Sequence, residues 1–255
     1  MGDFEAGASV EYFYLRQVFD ASEIVGVPVV VPAEGHSVTV RPVVGREWEH
    51  GWRTELELEG SRQWLAEPLD SFWDLGPRLG ILWAPSKGSE VGLTYRYRRR
   101  VFDDRTPVDA DGYALSGTLS FDQHEWESPW RRTWGERGRW RTVVRPGFLE
   151  SLDNGSGYFD YHRLQLAGTV RYVRSRWEVR GEAKARWYLY PVQTARTGDN
   201  THRRRDDLIL SVRGEVALLK KLKGFGEYAF ESSDENVVAS DYRVNTATAG
   251  VEVEW

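Results

Sequence analysis

Arginine is the residue type in this sequence that could do chemistry, because it recurs at every second position in several segments. Arg96, Arg98 and Arg100 follow this spacing, and so do Arg139 and Arg141. A guanidinium group is always charged, and its planar fork binds a carboxylate or a phosphate through two hydrogen bonds. The pattern therefore predicts a basic surface that could bind or guide anions. Its expected members are Arg78, Arg96, Arg98, Arg100, Arg139, Arg141, Arg145, Arg163, Arg171, Arg180, Lys184 and Arg186.

Glutamate follows the same alternation nearer the two ends of the chain. Glu55, Glu57 and Glu59 form one run, and Glu252 and Glu254 form another. The expected members of this acidic surface are Glu47, Glu49, Glu55, Glu57, Glu59, Glu227, Glu252 and Glu254. The acids come from the ends of the chain and the bases from its middle. The two sets are therefore predicted to form separate walls if the first and last strands of one sheet meet.

Other kinds of chemistry find little support in the sequence. None of the five histidines stands beside a serine on the same face of a predicted strand, and nucleophilic catalysis needs a base within hydrogen-bond reach of the nucleophile. The acidic loop at 103–111 could attract Ca²⁺ through its carboxylates, but such loops are usually only solvated. Cysteine is absent. We expect no enzymatic activity, no metal site and no cofactor. Nucleic acid is not an expected partner, because basic and aromatic residues segregate to opposite faces.

The segment 176–190 indicates which elements position these charges. Every second residue from Trp177 to Leu189 is apolar or small, and the residues between them are charged or tyrosine. This period of two is that of a β-strand. With a rise of roughly 3.4 Å per residue and a tilt of about 45°, Trp177 and Trp187 lie about 24 Å apart along a membrane normal. That spacing matches the two aromatic girdles of a transmembrane β-barrel. The tryptophans expected at the interfaces are Trp52, Trp73, Trp83, Trp140, Trp177, Trp187 and Trp255.

The whole chain fits a closed antiparallel transmembrane β-barrel of about twelve strands, an all-β fold. It contains no uninterrupted apolar run of about 18 residues that could form a membrane-spanning helix. Long and short connections alternate, as expected for a barrel with loops at one rim and tight turns at the other. We predict a single domain over 1–255, with 1–8 as a short N-terminal extension. The pattern predicts a sixth strand over 113–121 and leaves the strand edges in 122–135 open. Because no signal peptide is visible, we interpret the sequence as a mature or trimmed chain.

The end of the chain carries a resemblance to a known class of proteins. The final segment, Thr246-Ala-Thr-Ala-Gly-Val-Glu-Val-Glu-Trp255, resembles the C-terminal strand of Gram-negative outer-membrane β-barrel proteins. The residues before it, 222–241, look like the last hairpin of many such barrels. Trp255 stands where phenylalanine is usual. The resemblance implies a location in the outer membrane of a Gram-negative bacterium and assembly by the outer-membrane insertion machinery. No motif indicates a particular porin family.

Three functions remain open at this stage. The charged inner face favours a channel for passive diffusion of small, anionic solutes, with the basic wall as selector. Alternatively, charges that pair across the interior would plug it and leave a scaffold that anchors a protein partner in an export or secretion assembly. Trp126, Trp130 and Trp134 are then candidate docking residues, although an aromatic belt explains them too. A more remote alternative is an outer-membrane lipid hydrolase, for which His162 is the least poor candidate.

Overall fold

The computed structural model describes residues 3–20, 30–66, 70–195, 200–219, 221–237 and 241–253. Nearly all of them lie in antiparallel strands, joined at two places by single 3₁₀ turns. Among the described residues, no helix is long and apolar enough to cross a membrane. The strands are β1 (Phe4–Asp20), β2 (Val30–Glu47), β3 (Trp52–Leu65), β4 (Phe72–Ser86), β5 (Ser89–Phe102), β6 (Ser120–Glu127), β7 (Trp130–Trp134), β8 (Trp140–Asp153), β9 (Tyr161–Arg174), β10 (Trp177–Thr194), β11 (His202–Leu219), β12 (Leu222–Glu235) and β13 (Tyr242–Val253).

The strands form one sheet in which each strand pairs with its neighbours along the chain. β6 and β7 lie end to end between β5 and β8, so the thirteen strands occupy twelve positions. Pro129 separates them because proline has no N–H to donate to a ladder. The predicted all-β antiparallel architecture of about twelve strands is confirmed. Among the described residues, the ladders pair β1 only with β2 and β13 only with β12.

Two details of the prediction are wrong. β1 begins at Phe4, so most of the segment 1–8 belongs to a strand and is not an extension. The predicted sixth strand over 113–121 is largely loop, and β6 begins at Ser120. The Asp109 carboxylate turns the backbone there by accepting hydrogen bonds from the Asp111 and Tyr113 amides, at 3.0 and 2.8 Å. Gly112 and Gly117 have positive φ values of 88° and 100°, which a regular strand does not tolerate.

The region 122–135, whose strand edges the sequence pattern leaves undecided, lies mostly in β6 and β7. Trp126 lies in β6, and Trp130 and Trp134 lie in β7, all on one face of the sheet and each 40 to 45% exposed. Trp134 stacks on Trp140 with ring centroids 5.1 Å apart. Trp134 is therefore part of an aromatic surface that runs into β8, whereas Trp126 packs on Tyr95 of β5. No feature of their packing distinguishes a docking site from an aromatic belt.

The two faces of the sheet differ sharply. One face, which we call the outer face, carries most of the large exposed apolar side chains, such as Leu79, Ile81 and Leu93, each about half exposed. The predicted interfacial tryptophans that are described share this face, and Trp52 stacks on Trp83 across β3 and β4 at 5.7 Å. They are Trp52, Trp73, Trp83, Trp140, Trp177 and Trp187. Trp255 lies outside the described residues. The opposite face, the inner face, carries most of the charges.

The largest buried apolar cluster anchors the connection between β5 and β6 to the inner face. Phe72, Phe102 and Leu119 are its buried members, and Leu119 is fully inaccessible. Phe121 and Phe159 pack against them, with ring centroids 6.1 Å apart. Backbone hydrogen bonds fix the same loop, since the Leu119 amide donates to the Arg105 carbonyl at 2.6 Å. The loop 103–119 is therefore an ordered cover on the inner face at the rim of the long connections.

Substitution of Leu119 tests this anchor. Leu119→Ala leaves a cavity in a fully buried site, which we expect to lower the free energy of unfolding by about 2–5 kcal/mol. Trypsin should also cleave more rapidly after Arg105. Denaturant unfolding in detergent and limited proteolysis measure both effects. The matched control is Leu115→Ala in the same loop, because Leu115 is 39% exposed; its effect should stay within about 0.5 kcal/mol. Equal losses for the two variants would contradict the anchor.

Candidate functional site

The ladder registers determine where the predicted charges lie. Arg78 stands opposite Arg96 across β4 and β5, and Glu57 stands opposite Arg78 across β3 and β4. Following these pairings around the sheet places every predicted basic or acidic residue within a described strand on the inner face. Arg139 and Glu49 are the two that adjoin or belong to 3₁₀ turns. Glu254 lies outside the described residues.

Arginines face one another across neighbouring strands. Arg141, Arg171, Arg180 and Arg213 occupy one continuous row over β8, β9, β10 and β11. Directly opposite side chains have Cβ atoms about 4.5–5.5 Å apart, where like charges destabilise a sheet. Three of these arginines have a carboxylate partner: Arg171 pairs with Glu178 at 2.5 Å, Arg180 with Glu182, and Arg213 with Glu215 at 2.7 Å. The ion pairs therefore offset part of the repulsion within the row.

The acidic residues form ion pairs along the wall of the sheet. Arg41 holds Glu11 and Glu59 at 2.7 and 2.8 Å, so one base joins β1, β2 and β3. Arg213 also reaches Glu227 at 3.4 Å and Glu252 at 2.5 Å. Glu55, Glu59, Glu227 and Glu252 are thus paired with bases within a few strands of them, whereas Glu47 has no ion pair with a described residue. The described residues show this local pairing in place of an uncompensated acidic wall.

Besides Arg141 in the row of arginines, three further inner-face bases have no partner among the described residues. Arg96, Arg145 and Lys184 have no ion pair or hydrogen bond with any described residue. Lys184 lies close enough to Arg145, Arg163 and Arg186 to interact electrostatically with each of them. The Nε atoms of Arg163 and Arg186 are buried and have no hydrogen-bond partner in the described part of the chain. This region therefore has a local surplus of positive charge and of unused N–H donors.

A cavity of about 270 Å³ lies within this region, and we call it the cationic cavity. Its lining comprises four basic and two acidic side chains with Thr94 and Gln165; the charged residues are Arg78, Arg96, Arg163, Lys184, Glu125 and Glu127. Its lining residues come from β4, β5 and β6 and also from β9 and β10. Because these two groups of strands are not neighbours in the sheet, the sheet must curve strongly to bring them together. A second cavity of about 310 Å³ has the opposite balance and is lined by Glu178, Glu182, Glu215, Glu227, Arg180, Arg213 and Ser211.

Buried polar groups hold two arginines of the predicted set in place. The Arg100 guanidinium donates to both Asp74 carboxylate oxygens at 2.9 and 3.0 Å and lies 3.9 Å from the Phe72 ring centroid. Arg98 Nε donates to Gln123 Oε1 at 2.8 Å, and Gln123 Nε2 donates to Ser151 Oγ at 3.2 Å. Asp74, Gln123 and Ser151 are not among the residues predicted for the inner face. Each of them lies an even number of residues from an inner-face position on its own strand, so the two-residue alternation could have assigned it to that face.

Charged groups in the loops serve the backbone and ion pairs. Two hydrogen bonds from Arg62 hold the pKa of the Asp103 carboxyl below its usual range. Burial raises the pKa of Asp160, whose carboxylate accepts a 2.6 Å hydrogen bond from the Asp153 amide. Asp103, considered for Ca²⁺, is thus paired with a cation. The described residues contain no group of three or more His, Asp or Glu side chains placed to hold a metal ion.

The fold and its two faces define a class. An antiparallel meander of twelve strand positions, with an apolar outer face and a charged inner face, is the architecture of an outer-membrane β-barrel protein. The predicted class is confirmed, and the predicted outer-membrane location agrees with it.

No protein-family model and no curated protein matches the chain. Solved structures similar to it include the beta domain of the Bordetella autotransporter BrkA, with 12% identity, a TM-score of 0.44 and 99% of both chains covered. The loop L8 deletion mutant of OmpT, an outer membrane protein of Vibrio cholerae, has 8% identity, a TM-score of 0.45, and coverage of 100% of this chain and 99% of that one. The CymD monoaromatic hydrocarbon channel has 9% identity and a TM-score of 0.46, over 99% and 87%. Likeness at this level carries no argument about function.

The expectation that the chain is not an enzyme requires correction. The similar structures include OmpT as well as channel and autotransporter domains, so they do not form one functional class. The fold therefore does not exclude catalysis. Of the histidines considered for hydrolysis, His162 lies on the outer face, 3.7 Å from the Glu150 carboxylate and stacked on Phe148.

The Arg100–Asp74 pair allows a quantitative test of the buried inner-face network. Asp74 is only 4% exposed, and removal of one partner from a buried ion pair costs about 3–5 kcal/mol. We expect Asp74→Ala to lower the free energy of unfolding by that amount. The matched control is Asp234→Ala, which breaks an exposed pair with Arg243 and should cost less than about 1 kcal/mol. Denaturant unfolding in detergent measures both, and similar losses would contradict the buried network.

Proposed function

We propose that this protein is an outer-membrane channel for the passive diffusion of small anionic solutes, with the cationic cavity as its selective region. The observation that carries the proposal is the surplus of unpaired basic groups there. Arg96 and Lys184 line the cavity, Arg145 lies near Lys184, and none of the three has a carboxylate partner among the described residues. The four bases of the lining also outnumber its two acids, Glu125 and Glu127. An anion passing through supplies the missing charge.

The cost of this arrangement supports a functional role. Two unit charges about 4 Å apart repel by about 1 kcal/mol even in water, and by more at lower dielectric. Glu55 and Glu57 compensate Arg78 at 3.5 and 3.8 Å, but Arg96 opposite it has no ion pair with a described residue. Lys184 near Arg145 is likewise uncompensated, so an anion would stabilise both places. A scaffold barrel has no need of such a surplus, because glutamine or serine fills an interior as well. The surplus favours a channel over a plugged scaffold that anchors a protein partner.

Membrane insertion belongs to the same proposal. β13 covers most of the segment that resembles the C-terminal strand of outer-membrane proteins, and it pairs with β12 over Tyr242–Val253. We propose that this strand is recognised by the outer-membrane insertion machinery. Pairing of β1 with β13 would complete the barrel, and the whole chain from 1 to 255 would then act as one domain in the lipid bilayer.

Neutralising the three unpaired bases tests the selectivity. In a planar bilayer with a KCl gradient at roughly 0.1 M, where the Debye length is about 10 Å, the protein should prefer Cl⁻ to K⁺. The triple variant Arg96→Gln, Arg145→Gln, Lys184→Gln should lose most of this preference. Each charge contributes about 0.5 kcal/mol at roughly 8 Å in water, so three contribute about tenfold in the permeability ratio.

A charge-neutral variant controls for general disturbance of the lumen. Arg171→Gln with Glu178→Gln removes one ion pair and leaves the net charge unchanged. Its permeability ratio should remain that of the unmodified protein. A triple variant that keeps full anion preference would refute the role of the cationic cavity. If folded protein conducts no ions at all, the result would refute the channel and support the scaffold.

A further inference from the structure

Three tyrosines lie together on the inner face at the rim of the long connections. Tyr161 begins β9, and Tyr188 and Tyr190 lie near the end of β10. The Tyr161 ring centroid is 5.7 Å from that of Tyr188 and 5.9 Å from that of Tyr190. All three rings are half-buried and tilted to one another. They form an aromatic surface within a wall that is otherwise mostly charged.

Two arginines of β11 lie against these rings. The Arg203 guanidinium is 4.6 Å from the Tyr190 ring centroid, and that of Arg205 is 5.3 Å from the Tyr188 centroid. Arg203 also donates to Gln193 Oε1 at 2.7 Å and pairs with Glu235. Arg205 donates to both Asp207 oxygens, at 2.7 and 3.1 Å. A guanidinium has five N–H donors, so each arginine is held in place and still has donors to offer.

The hydroxyl groups of the three tyrosines have no partner within the described part of the chain. No hydrogen bond joins the hydroxyls of Tyr161, Tyr188 or Tyr190 to another described residue. By contrast, the hydroxyl of Tyr242 donates to Glu231 at 2.5 Å. The rim cluster of three tyrosines and two arginines therefore offers ring faces, hydroxyl donors and guanidinium donors in one place. We call this cluster the tyrosine–arginine rim.

The rim continues into the cationic cavity. Arg163, which lines that cavity, stands directly opposite Tyr188 across β9 and β10. Arg186 precedes Tyr188 by two residues on β10 and therefore lies on the same face. Its Nε atom is buried and has no hydrogen-bond partner among the described residues. A solute that enters at the long connections thus meets aromatic rings first and unpaired bases next. These surfaces complement different parts of a single ligand.

We infer that the tyrosine–arginine rim is a binding subsite for aromatic anions such as aromatic carboxylates, and this inference rests on the proposed anion channel. The tyrosine faces stack with the ring of the ligand. The free guanidinium donors and phenolic hydroxyls bind its carboxylate. An aliphatic carboxylate of equal size makes the same hydrogen bonds through its carboxylate but gains only part of the packing against the tyrosine rings.

Two acids with the same number of carbon atoms separate these contributions. Benzoate and cyclohexanecarboxylate are added in turn to the protein in a planar bilayer in KCl, and the half-blocking concentration of the Cl⁻ current is measured. Benzoate should block at a concentration roughly two- to tenfold lower, the range that aromatic pairing gives. The double variant Tyr188→Leu, Tyr190→Leu should abolish this difference. The control Tyr172→Leu removes an outer-face tyrosine that packs on Trp140 and should preserve it.

Equal block by both acids, or unchanged discrimination in the double variant, would overturn the subsite. If anion preference persists without discrimination, the subsite fails and the channel stands. Direct binding provides a second measurement that does not depend on conduction. Line broadening of 4-fluorobenzoate in ¹⁹F NMR with the detergent-solubilised protein should decrease several-fold in the double variant and not in Tyr172→Leu. Equal broadening by all three proteins would overturn the subsite even if no current were seen.

Discussion

The two-residue period of hydrogen-bonded strands is the constraint on which the rest of this structure depends. A backbone that crosses lipid must satisfy every N–H and C=O internally, and the antiparallel ladders do so between the neighbouring strands from β1 to β13. The same ladders fix the face of each side chain, because a slip of one residue would turn the whole strand over. Arg171 on β9 and Arg180 on β10 share the inner face for this reason. The segregation of charge from apolar surface is thus a consequence of pairing and register.

Charge within the lumen is balanced unevenly. Where arginines and glutamates alternate on neighbouring strands, as around Arg41 and Arg213, each base finds one or more carboxylates within 3.5 Å. The cationic cavity departs from this pattern, because Glu125 pairs with Arg163 at 2.9 Å and Lys184 has no ion pair with a described residue. Most inner-face bases therefore have an ion pair, whereas Arg141 and three bases in or near the cationic cavity have none among the described residues. The uneven distribution of ion pairs, and not the total charge of the inner face, is what supports the proposed passage of an anion.

The faces of the sheet could be predicted from the sequence, but the partners of individual charges could not. Within each strand, the alternation of apolar and charged residues assigns Arg96 and Lys184 to the inner face. This assignment does not require knowledge of the register between strands. The Arg213–Glu252 ion pair spans 39 residues and two ladders, so it follows only from the registers. Tyr113 and Leu115 alternate like strand residues, yet the local Asp109 turn prevails there. Pattern reasoning fails where side chain-to-backbone hydrogen bonds compete with a ladder.

The rim of the long connections shows how aromatic residues do two different jobs on the same face. Phe72 and Phe102 are buried beneath Leu119, so their surface is used up in holding the loop 103–119. Tyr188 and Tyr190 are half-buried and contact arginines, and their hydroxyls form no hydrogen bond with a described residue. The phenylalanines at this rim thus anchor a loop, whereas the tyrosines at the same rim form a surface with polar donors. In the proposed channel, a solute would pass this band before it reached the unpaired bases, so selection by ring and selection by charge would act in sequence along one path.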